Sequence, residues 1–254
     1  MSQWMIYGAN GYTGTLLAHA AAARGLKPVL AGRNTRAITQ LGESLGLPHQ
    51  CFDLHDQQAL QQTLADHRVI LNCAGPFSAT SQPLIDACLA TGCHYLDITG
   101  EIDAFVAAQA RQTDAEQANI VICPGVGFDV IPTDCIAARL KQELPDADRL
   151  ALGFDSRSAL SPGTAKTSVE GLKYGGRIRK DDRIVSVPLA YQSREIDFGN
   201  GTKHAVTIPW GDIATAWFST GIDHIEVFLP MAPSAATRLR RLDRIQKVLE
   251  CSFS

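Results

Sequence analysis

The sequence lacks the cysteine patterns that mark several classes of protein. Its cysteines are scattered singly, so it contains neither a Cys-x-x-Cys pair nor a His/Cys cluster with zinc-finger spacing. An odd number of scattered cysteines is typical of a reducing compartment. The seven cysteines stand at positions 51, 73, 88, 93, 123, 135 and 251. We therefore expect neither a disulfide framework nor a metal site.

Excess charge and long apolar runs are also absent. The formal net charge is −3 over 254 residues, which argues against bulk electrostatic binding to nucleic acid or anionic membrane. No apolar run approaches the ~20 residues that a membrane span needs. The opening MSQW leads directly into the first predicted strand, without the basic and apolar regions of a signal peptide. We expect a cytoplasmic protein of one or two domains.

What is present in the first half is a regular alternation of apolar runs and helical patterns. This alternation predicts a doubly wound parallel α/β sheet with helices on both faces, whose ligands bind at the carboxyl ends of the strands. Asn34 is a predicted N-cap, and Gly25 and Gly46 are predicted to end helices. The predicted strands span 3–9, 27–32, 49–54, 68–75, 93–100 and 119–125, and the predicted helices 13–25, 34–46, 56–66, 81–92 and 101–117.

A glycine motif, YGANGYTG, stands where the first strand turns into the first helix. In that context Gly8 can make the tight turn, Gly11 lets the backbone approach a pyrophosphate, and Gly14 lets the helix pack on the strand. The N–H groups and the dipole of the helix start then bind the phosphate charge. The alternative is a glycine-rich turn without a ligand. The predicted cradle comprises Gly8, Asn10, Gly11, Tyr12, Thr13 and Gly14.

The end of the second strand selects between the two dinucleotides. An NAD-binding fold places an acid there, on the ribose 2′-hydroxyl, but LAGRNTR contains none. Arg33, followed by Asn34 and Arg36, can instead bind a 2′-phosphate, so NADP(H) is preferred over NAD. Asp53, after the third strand, is a candidate for the adenine amino group. The alternative for Arg33 is a solvated arginine at the start of a helix, and the alternative for Asp53 is a turn residue.

Three further loops follow the fourth, fifth and sixth strands. Small residues in NCAGPF let the nicotinamide-side ribose pass close to the backbone, and Pro76 fixes the loop. In DITGE, Thr99 and Glu101 are candidates to face the cleft, although Glu101 serves equally as a first-turn helix acid. Asp129 is a candidate substrate contact or proton relay, with a helix cap as the alternative. The predicted cofactor residues in these loops are Cys73, Ala74, Gly75, Pro76, Phe77, Gly100 and Gly125.

After residue 145 the pattern changes to antiparallel or mixed sheet. Lys166, Tyr174 and Arg177 are the polar groups expected to meet a carboxylate, a phosphate or a thioester-bound acyl group, the alternative being exposed charges on a helix. The basic helix over 234–250 either packs on this domain or associates with a membrane surface. Strands are predicted over 149–156, 183–191, 193–199, 203–209 and 224–230, a turn over 199–203, and helices over 163–176 and 210–221.

Together, the strings YGANGYTG, LAGRN, LNCAGPFS, HYLDITGE and PGVGFDVIPTDC resemble the saccharopine dehydrogenase-like oxidoreductases, which include trans-acting enoyl reductases. The resemblance implies an NAD(P)-binding Rossmann domain over 1–130 and a smaller mixed α/β domain over 131–254, shorter than in the family, for substrate and dimerisation. It also implies NADP(H)-dependent hydride transfer to a C=C, C=O or C=N bond. Asp129, Tyr174 and Lys166 are the catalytic candidates, and a homodimer is one expected assembly.

Two other functions stay open at this point. One is a non-catalytic NADP-binding regulator or redox sensor, and the other is an inactive short form of the enzyme. The catalytic pattern of short-chain dehydrogenases, in which a lysine follows a tyrosine by four residues, is absent from the sequence. This excludes the usual short-chain mechanism but does not separate a reductase from a sensor.

Overall fold

The computed structural model describes residues 3–156 and 175–252, which form two compact units that meet in sequence between Asp129 and Val130. The first unit alternates strands and helices, as the apolar pattern predicted. Its strands are β1 (Gln3–Tyr7), β2 (Val29–Gly32), β3 (His49–Cys51), β4 (His67–Asn72), β5 (His94–Asp97) and β6 (Ile122–Cys123). Its helices are α1 (Tyr12–Ala23), α2 (Thr35–Leu45), α3 (Gln57–Leu64), α4 (Phe77–Thr91), α5 (Ile102–Gln109) and α6 (Gln112–Gln117).

The six strands form one parallel sheet in the order β3-β2-β1-β4-β5-β6. The order reverses direction beside β1, where Tyr7 pairs with Ala31 of β2 and with Asn72 of β4. Such a reversal opens a crevice beyond the carboxyl ends of the strands, which is where open α/β sheets bind ligands. The predicted doubly wound α/β class is confirmed.

Both faces of this sheet are buried by helices. Along β1 the side chains alternate, so Met5 and Tyr7 pack into a core cluster with Leu60 and Leu84, while Ile6 packs into a second cluster on the other face. Continuous apolarity in β1 and β2 follows from this double burial, because neither strand face meets water.

The helix ends follow local chemistry that the sequence made visible. Asn34 Oδ1 accepts a hydrogen bond from Ala37 N at 3.1 Å and caps α2. Gly46 ends α2 with a φ of 61°, and Gly25 follows α1 with a φ of 70°. These three predictions are confirmed, since an Asx side chain and a left-handed glycine each satisfy main-chain groups at a helix end.

Two helix predictions in the first unit were wrong in extent. Helix α4 begins at Phe77, four residues before the predicted start, because the Glu101 carboxylate accepts hydrogen bonds from its first N–H groups. The single helix predicted over 101–117 is two helices, α5 and α6. At the break the Arg111 guanidinium binds Asp86 of α4 at 2.5 Å and Asp114 of α6 at 2.6 Å.

The second unit is built on a mixed sheet. Its strands are β7 (Arg149–Gly153), β8 (Gly176–Lys180), β9 (Arg183–Val187), β10 (Ser193–Asp197), β11 (Thr202–Ile208) and β12 (His224–Pro230). Its helices are α7 (Ile131–Glu143), α8 (Asp212–Thr220) and α9 (Pro233–Ser252). The strand order is β10-β11-β12-β8-β9, with β7 pairing parallel to β12. Within the described residues, no helix is both long and apolar enough to cross a membrane.

Strand β8 was not predicted, and it changes the interpretation of Arg177. That residue lies on β8, paired with Ser186 of β9, and not on a helix. Its neighbour Arg179 is buried, donates to Ile213 O at 2.8 Å and stacks on the Trp217 ring at 4.5 Å. A strand that carries two arginines and a lysine reads as polar, so its apolar periodicity is too weak to detect.

Candidate functional site

The glycine turn after β1 is shaped by contacts that exclude side chains. Gly8 has a φ of 77°, and a Cβ on it would lie 2.8 Å from Ala74 Cβ and Ala74 N. A Cβ on Gly14 would lie 2.2 Å from Gly8 O. The turn closes through Gly11 N, which donates to Gly8 O at 2.9 Å, while Gly8 N donates to Ala31 O at 2.8 Å. The motif is therefore a close-packed backbone turn, which only glycine allows at these positions.

The amino end of α1 faces this turn without a side-chain cap. Its N-cap is Gly11, and no side chain of the described residues caps it. The first N–H groups of the helix, from Tyr12 onward, thus stay available to an anion. Tyr12 is 65% exposed. Asn10 packs against Gly32 of β2, and a Cβ on Gly32 would be only 2.9 Å from Asn10 Oδ1. These features fit the pyrophosphate of a dinucleotide.

Polar side chains follow β2 and β3 at the same edge of the sheet. Arg33 and Asp53 are both exposed. Asp53 Oδ1 accepts from His55 N at 3.0 Å, which makes it a turn residue as well as an adenine candidate. Asn34 uses its side-chain oxygen to cap α2. No acid lies at the end of β2, and a guanidinium stands there instead, so the residues present fit a phosphorylated ribose.

A buried polar network, which sequence reasoning missed, connects the ends of β4 and β5. Asn72 Nδ2 donates to Tyr95 Oη at 3.2 Å and to Thr80 Oγ1 at 3.0 Å, while Asn72 Oδ1 accepts from Ala74 N at 3.0 Å. Tyr95 Oη in turn donates to Asp97 Oδ2 at 2.7 Å. The available signal was a buried strand, HYLD, that ends in an acid.

Asp97 is the centre of that network. It is 1% exposed, and its Oδ1 accepts from Thr99 N at 2.9 Å and from Gly125 N at 2.8 Å. Burial raises the pKa of this carboxyl, and the nearby Glu101 charge raises it further, while the hydrogen bonds it accepts lower it. Asp97 thereby sets the path of the loops after β5 and β6, and Gly125, with a φ of 71°, completes the second loop.

Glu101 connects the loop after β5 to the loop after β4. Its Oε1 accepts from Phe77 N and its Oε2 from Ser78 N, both at 2.8 Å. A carboxylate bound to two N–H groups at the amino end of α4 complements the helix dipole. The Glu101 side chain therefore caps α4 rather than its own helix, α5, a role that neither sequence interpretation included.

Asp129 lies beside the same loop. A Cβ on Gly100 would come within 2.9 Å of Asp129 Oδ2, so the absence of a side chain at Gly100 admits this carboxylate. Burial raises the pKa of Asp129. The structure thereby brings together Gly100, Glu101, Gly125 and Asp129 at the carboxyl edge of β5 and β6.

The loop after β4 completes this edge. Cys73 N donates to Tyr7 O at 2.8 Å, and the Gly75–Pro76 bond is cis. Burial raises the pKa of the Cys73 thiol to about 12, which favours the neutral thiol at pH 7. Phe77 is buried at the start of α4. The catalytic candidates Lys166 and Tyr174 lie outside the described residues. So does most of the helix predicted over 163–176, of which only residues 175 and 176 are described.

The glycine turn and its neighbouring loops correspond to a known domain family. Residues 4–123 match the family model described as the saccharopine dehydrogenase NADP-binding domain. Among solved structures, the chain is similar to the apo saccharopine dehydrogenase (L-Glu forming) of Saccharomyces cerevisiae, with a TM-score of 0.63 and 15% identity. That match covers 90% of this chain and 55% of the yeast chain, and at this identity it shows the fold alone.

Curated relatives agree with that assignment. The chain is 30% identical over 200 residues to the "Probable mitochondrial saccharopine dehydrogenase-like oxidoreductase" of Arabidopsis thaliana, covering 69% of this chain and 44% of the relative. It is 28% identical over 203 residues to a trans-acting enoyl reductase of Mycobacterium tuberculosis, covering 72% of this chain and 48% of the relative. The chain thus spans about half the length of the curated relatives it matches.

Proposed function

We propose that this chain, whose residues 4–123 match the saccharopine dehydrogenase NADP-binding domain, is an NADP(H)-dependent oxidoreductase. The reaction that we propose is hydride transfer to a C=C bond of an enoyl substrate, with carbonyl and imine substrates as the other members of the class. A trans-acting enoyl reductase among the relatives supports the enoyl substrate.

The observation that carries the proposal is the pairing of the glycine turn with Arg33. The uncapped amino end of α1 offers N–H groups to a pyrophosphate, and the guanidinium after β2 stands where an NAD-binding protein has an acid. In this proposal, residues of the loops after β4, β5 and β6 line the site for the nicotinamide half of the dinucleotide. Glu101 and Asp97 hold these loops in place through four main-chain N–H groups.

The chemistry is divided between cofactor and protein. When bound, the reduced nicotinamide supplies the hydride that reaches the β-carbon of an enoyl group. The protein has to supply a proton to the α-carbon, and we assign this step to Asp129. Its carboxyl is half-buried at the edge of the site, and the raised pKa keeps it protonated to a higher pH than an exposed aspartate.

Cofactor preference is tested by replacing Arg33. We expect the protein to bind NADPH more tightly than NADH. Arg33→Ala should weaken NADPH binding about 10- to 100-fold, because losing hydrogen bonds to a charged group costs ~1.5–3 kcal/mol of binding free energy. NADH binding should change little, because NADH lacks the 2′-phosphate. Fluorescence titration of both dinucleotides against both proteins measures this.

The matched control is Arg68→Ala, because Arg68 is exposed and lies near the amino end of β4, away from the carboxyl ends of the strands where the glycine turn lies. It removes the same charge from the protein without touching the proposed phosphate position. Equal affinity for NADPH and NADH, unchanged by Arg33→Ala, would contradict the preference for NADP(H).

Turnover separates an enzyme from a sensor. We expect NADPH absorbance to fall on adding a 2-enoyl thioester, and Asp129→Asn to lower kcat about 100-fold, a typical contribution of general acid catalysis, while leaving the Kd for NADPH unchanged. A panel of 2-enoyl, keto and imine compounds identifies the accepted class. Tight NADPH binding without consumption of any of them would favour the regulatory, non-catalytic alternative.

The second unit has the remaining roles in this proposal. We assign substrate binding and dimer contacts to residues 131–254, and the dinucleotide to residues 1–130. Two exposed apolar residues on α7, Ile136 and Leu140, support a dimer contact, because apolar side chains at a spacing of four lie on one helix face. A cytoplasmic location is proposed on the sequence alone.

A further inference from the structure

Tyr7 carries a buried hydroxyl that the fold leaves without a partner. The residue is 1% exposed, and no described residue forms a hydrogen bond with its Oη. A buried polar group without a partner destabilises a protein, so such groups are rare and often have a functional reason. Phenylalanine would fill the same space without that cost.

The location of this hydroxyl is informative. Tyr7 ends β1 and directly precedes Gly8, the first residue of the glycine turn. Its ring packs on Phe52, with 5.2 Å between centroids, and Phe52 directly precedes Asp53. In the sheet, Tyr7 pairs with Ala31 of β2, which lies two residues before Arg33. Tyr7 therefore lies at the edge of the sheet where we propose that the adenosine half of the dinucleotide binds.

The charges around the hydroxyl agree with this location. Burial raises the pKa of Tyr7 to about 12, while the Arg33 guanidinium lowers it and the Asp53 carboxylate raises it. The group thus keeps its proton at neutral pH and acts as a donor. Arg33 and Asp53 are both exposed, so the side chains beside it are able to reorient when a ligand binds.

We propose that the Tyr7 hydroxyl donates a hydrogen bond to the 2′-phosphate of NADP(H), together with Arg33, and so helps to select the phosphorylated cofactor. A phosphate oxygen is an acceptor that suits both donors, whereas an unphosphorylated ribose offers no charge to Arg33. This inference rests on the proposed function, since it requires NADP(H) to bind at the glycine turn.

The test compares wild type with Tyr7→Phe by titration with NADPH, NADH, adenosine 2′,5′-bisphosphate and adenosine 5′-monophosphate. We expect the two ligands with a 2′-phosphate to bind about tenfold more weakly to the variant, as for the loss of one hydrogen bond to a charged group. NADH and the monophosphate should change less than about twofold. The Tm of the cofactor-free variant should equal or exceed that of wild type, because no partner is lost.

Tyr191→Phe is the matched control, because Tyr191 is 46% exposed and lies in the second unit. Unchanged NADPH affinity in Tyr7→Phe, or an equal loss for NADPH and NADH, would overturn the inference. So would a lower Tm of the cofactor-free variant, which would show a structural partner for the hydroxyl. If wild type binds NADPH no more tightly than NADH, the proposed function itself is contradicted. If Arg33→Ala weakens NADPH binding but Tyr7→Phe does not, only this inference is contradicted.

Discussion

Replacing Gly14 by alanine is expected to destabilise the first unit by at least about 3 kcal/mol, the upper range for forcing extra volume into a packed site. The added Cβ would stand 2.2 Å from Gly8 O and 2.8 Å from Ala9 Cα. Both obstacles are backbone, so no rotamer change relieves them, and α1 has to move away from β1. Thermal unfolding of the cofactor-free protein measures the loss, and NADPH titration reports the displaced helix start.

Gly25→Ala is the matched control for this substitution. Gly25 follows α1 with a φ of 70°, but nothing lies within 4 Å of the position of its Cβ. It should cost only the ~1–2 kcal/mol of a left-handed alanine and leave NADPH affinity unchanged. A Gly14→Ala protein as stable as Gly25→Ala would show that the turn does not need the close packing seen here.

Removing the Asp97 side chain is the second large effect that we expect. Asp97→Ala leaves the N–H groups of Thr99 and Gly125 without their acceptor, at about 1–3 kcal/mol for each buried donor. Relief of the buried charge offsets part of this cost, so we expect a net loss of about 3 kcal/mol in the free energy of unfolding. Urea denaturation of the cofactor-free protein measures it.

Asp97→Asn separates the hydrogen bonds from the charge. The amide oxygen still accepts from both N–H groups, but the amide nitrogen cannot accept from Tyr95 Oη, so this variant should lose about 1–2 kcal/mol at pH 7, less than Asp97→Ala. The folded-state pKa of Asp97 is raised, so its contribution to stability is complete below the unfolded-state pKa and is lost as pH rises through the folded-state value. Wild type should therefore lose stability relative to Asp97→Asn as the pH rises from about 4, the unfolded-state value, through the raised folded-state pKa. Parallel pH profiles for the two proteins would contradict this.

The sequence predicted the parts of the site that depend on local chemistry. Apolar runs, an Asx cap at Asn34 and glycines at positive φ are properties of a few consecutive residues; the structure has the cap and the glycines where predicted, and it has the six strands of the first unit in the predicted order but shorter. The order of motifs along the chain likewise placed the glycine turn at the start of the first helix. Position at the edge of a parallel sheet then brings Arg33, Asp53 and Gly125 to one side.

Parts that depend on contacts distant in sequence were not predicted. Helix α4 begins at Phe77 because Glu101, 24 residues away from it, accepts from its first N–H groups. The partners of Asp97 lie at positions 95, 99 and 125, and only the folded loops bring them together. The unpaired hydroxyl of Tyr7 is equally invisible in a strand that reads simply as apolar. Such features require coordinates, because no local pattern encodes them.

The bond between Glu101 and α4 also constrains how this protein can change in evolution. Loops between strands and helices ordinarily tolerate inserted or deleted residues. Here the loops after β4 and β5 are coupled through one carboxylate, so a change in the length of either displaces the other. The turn at Asp53 closes on its own neighbour, His55, and has no such dependence. Length variation among homologues should therefore gather in the loop after β3 and spare the loops after β4 and β5.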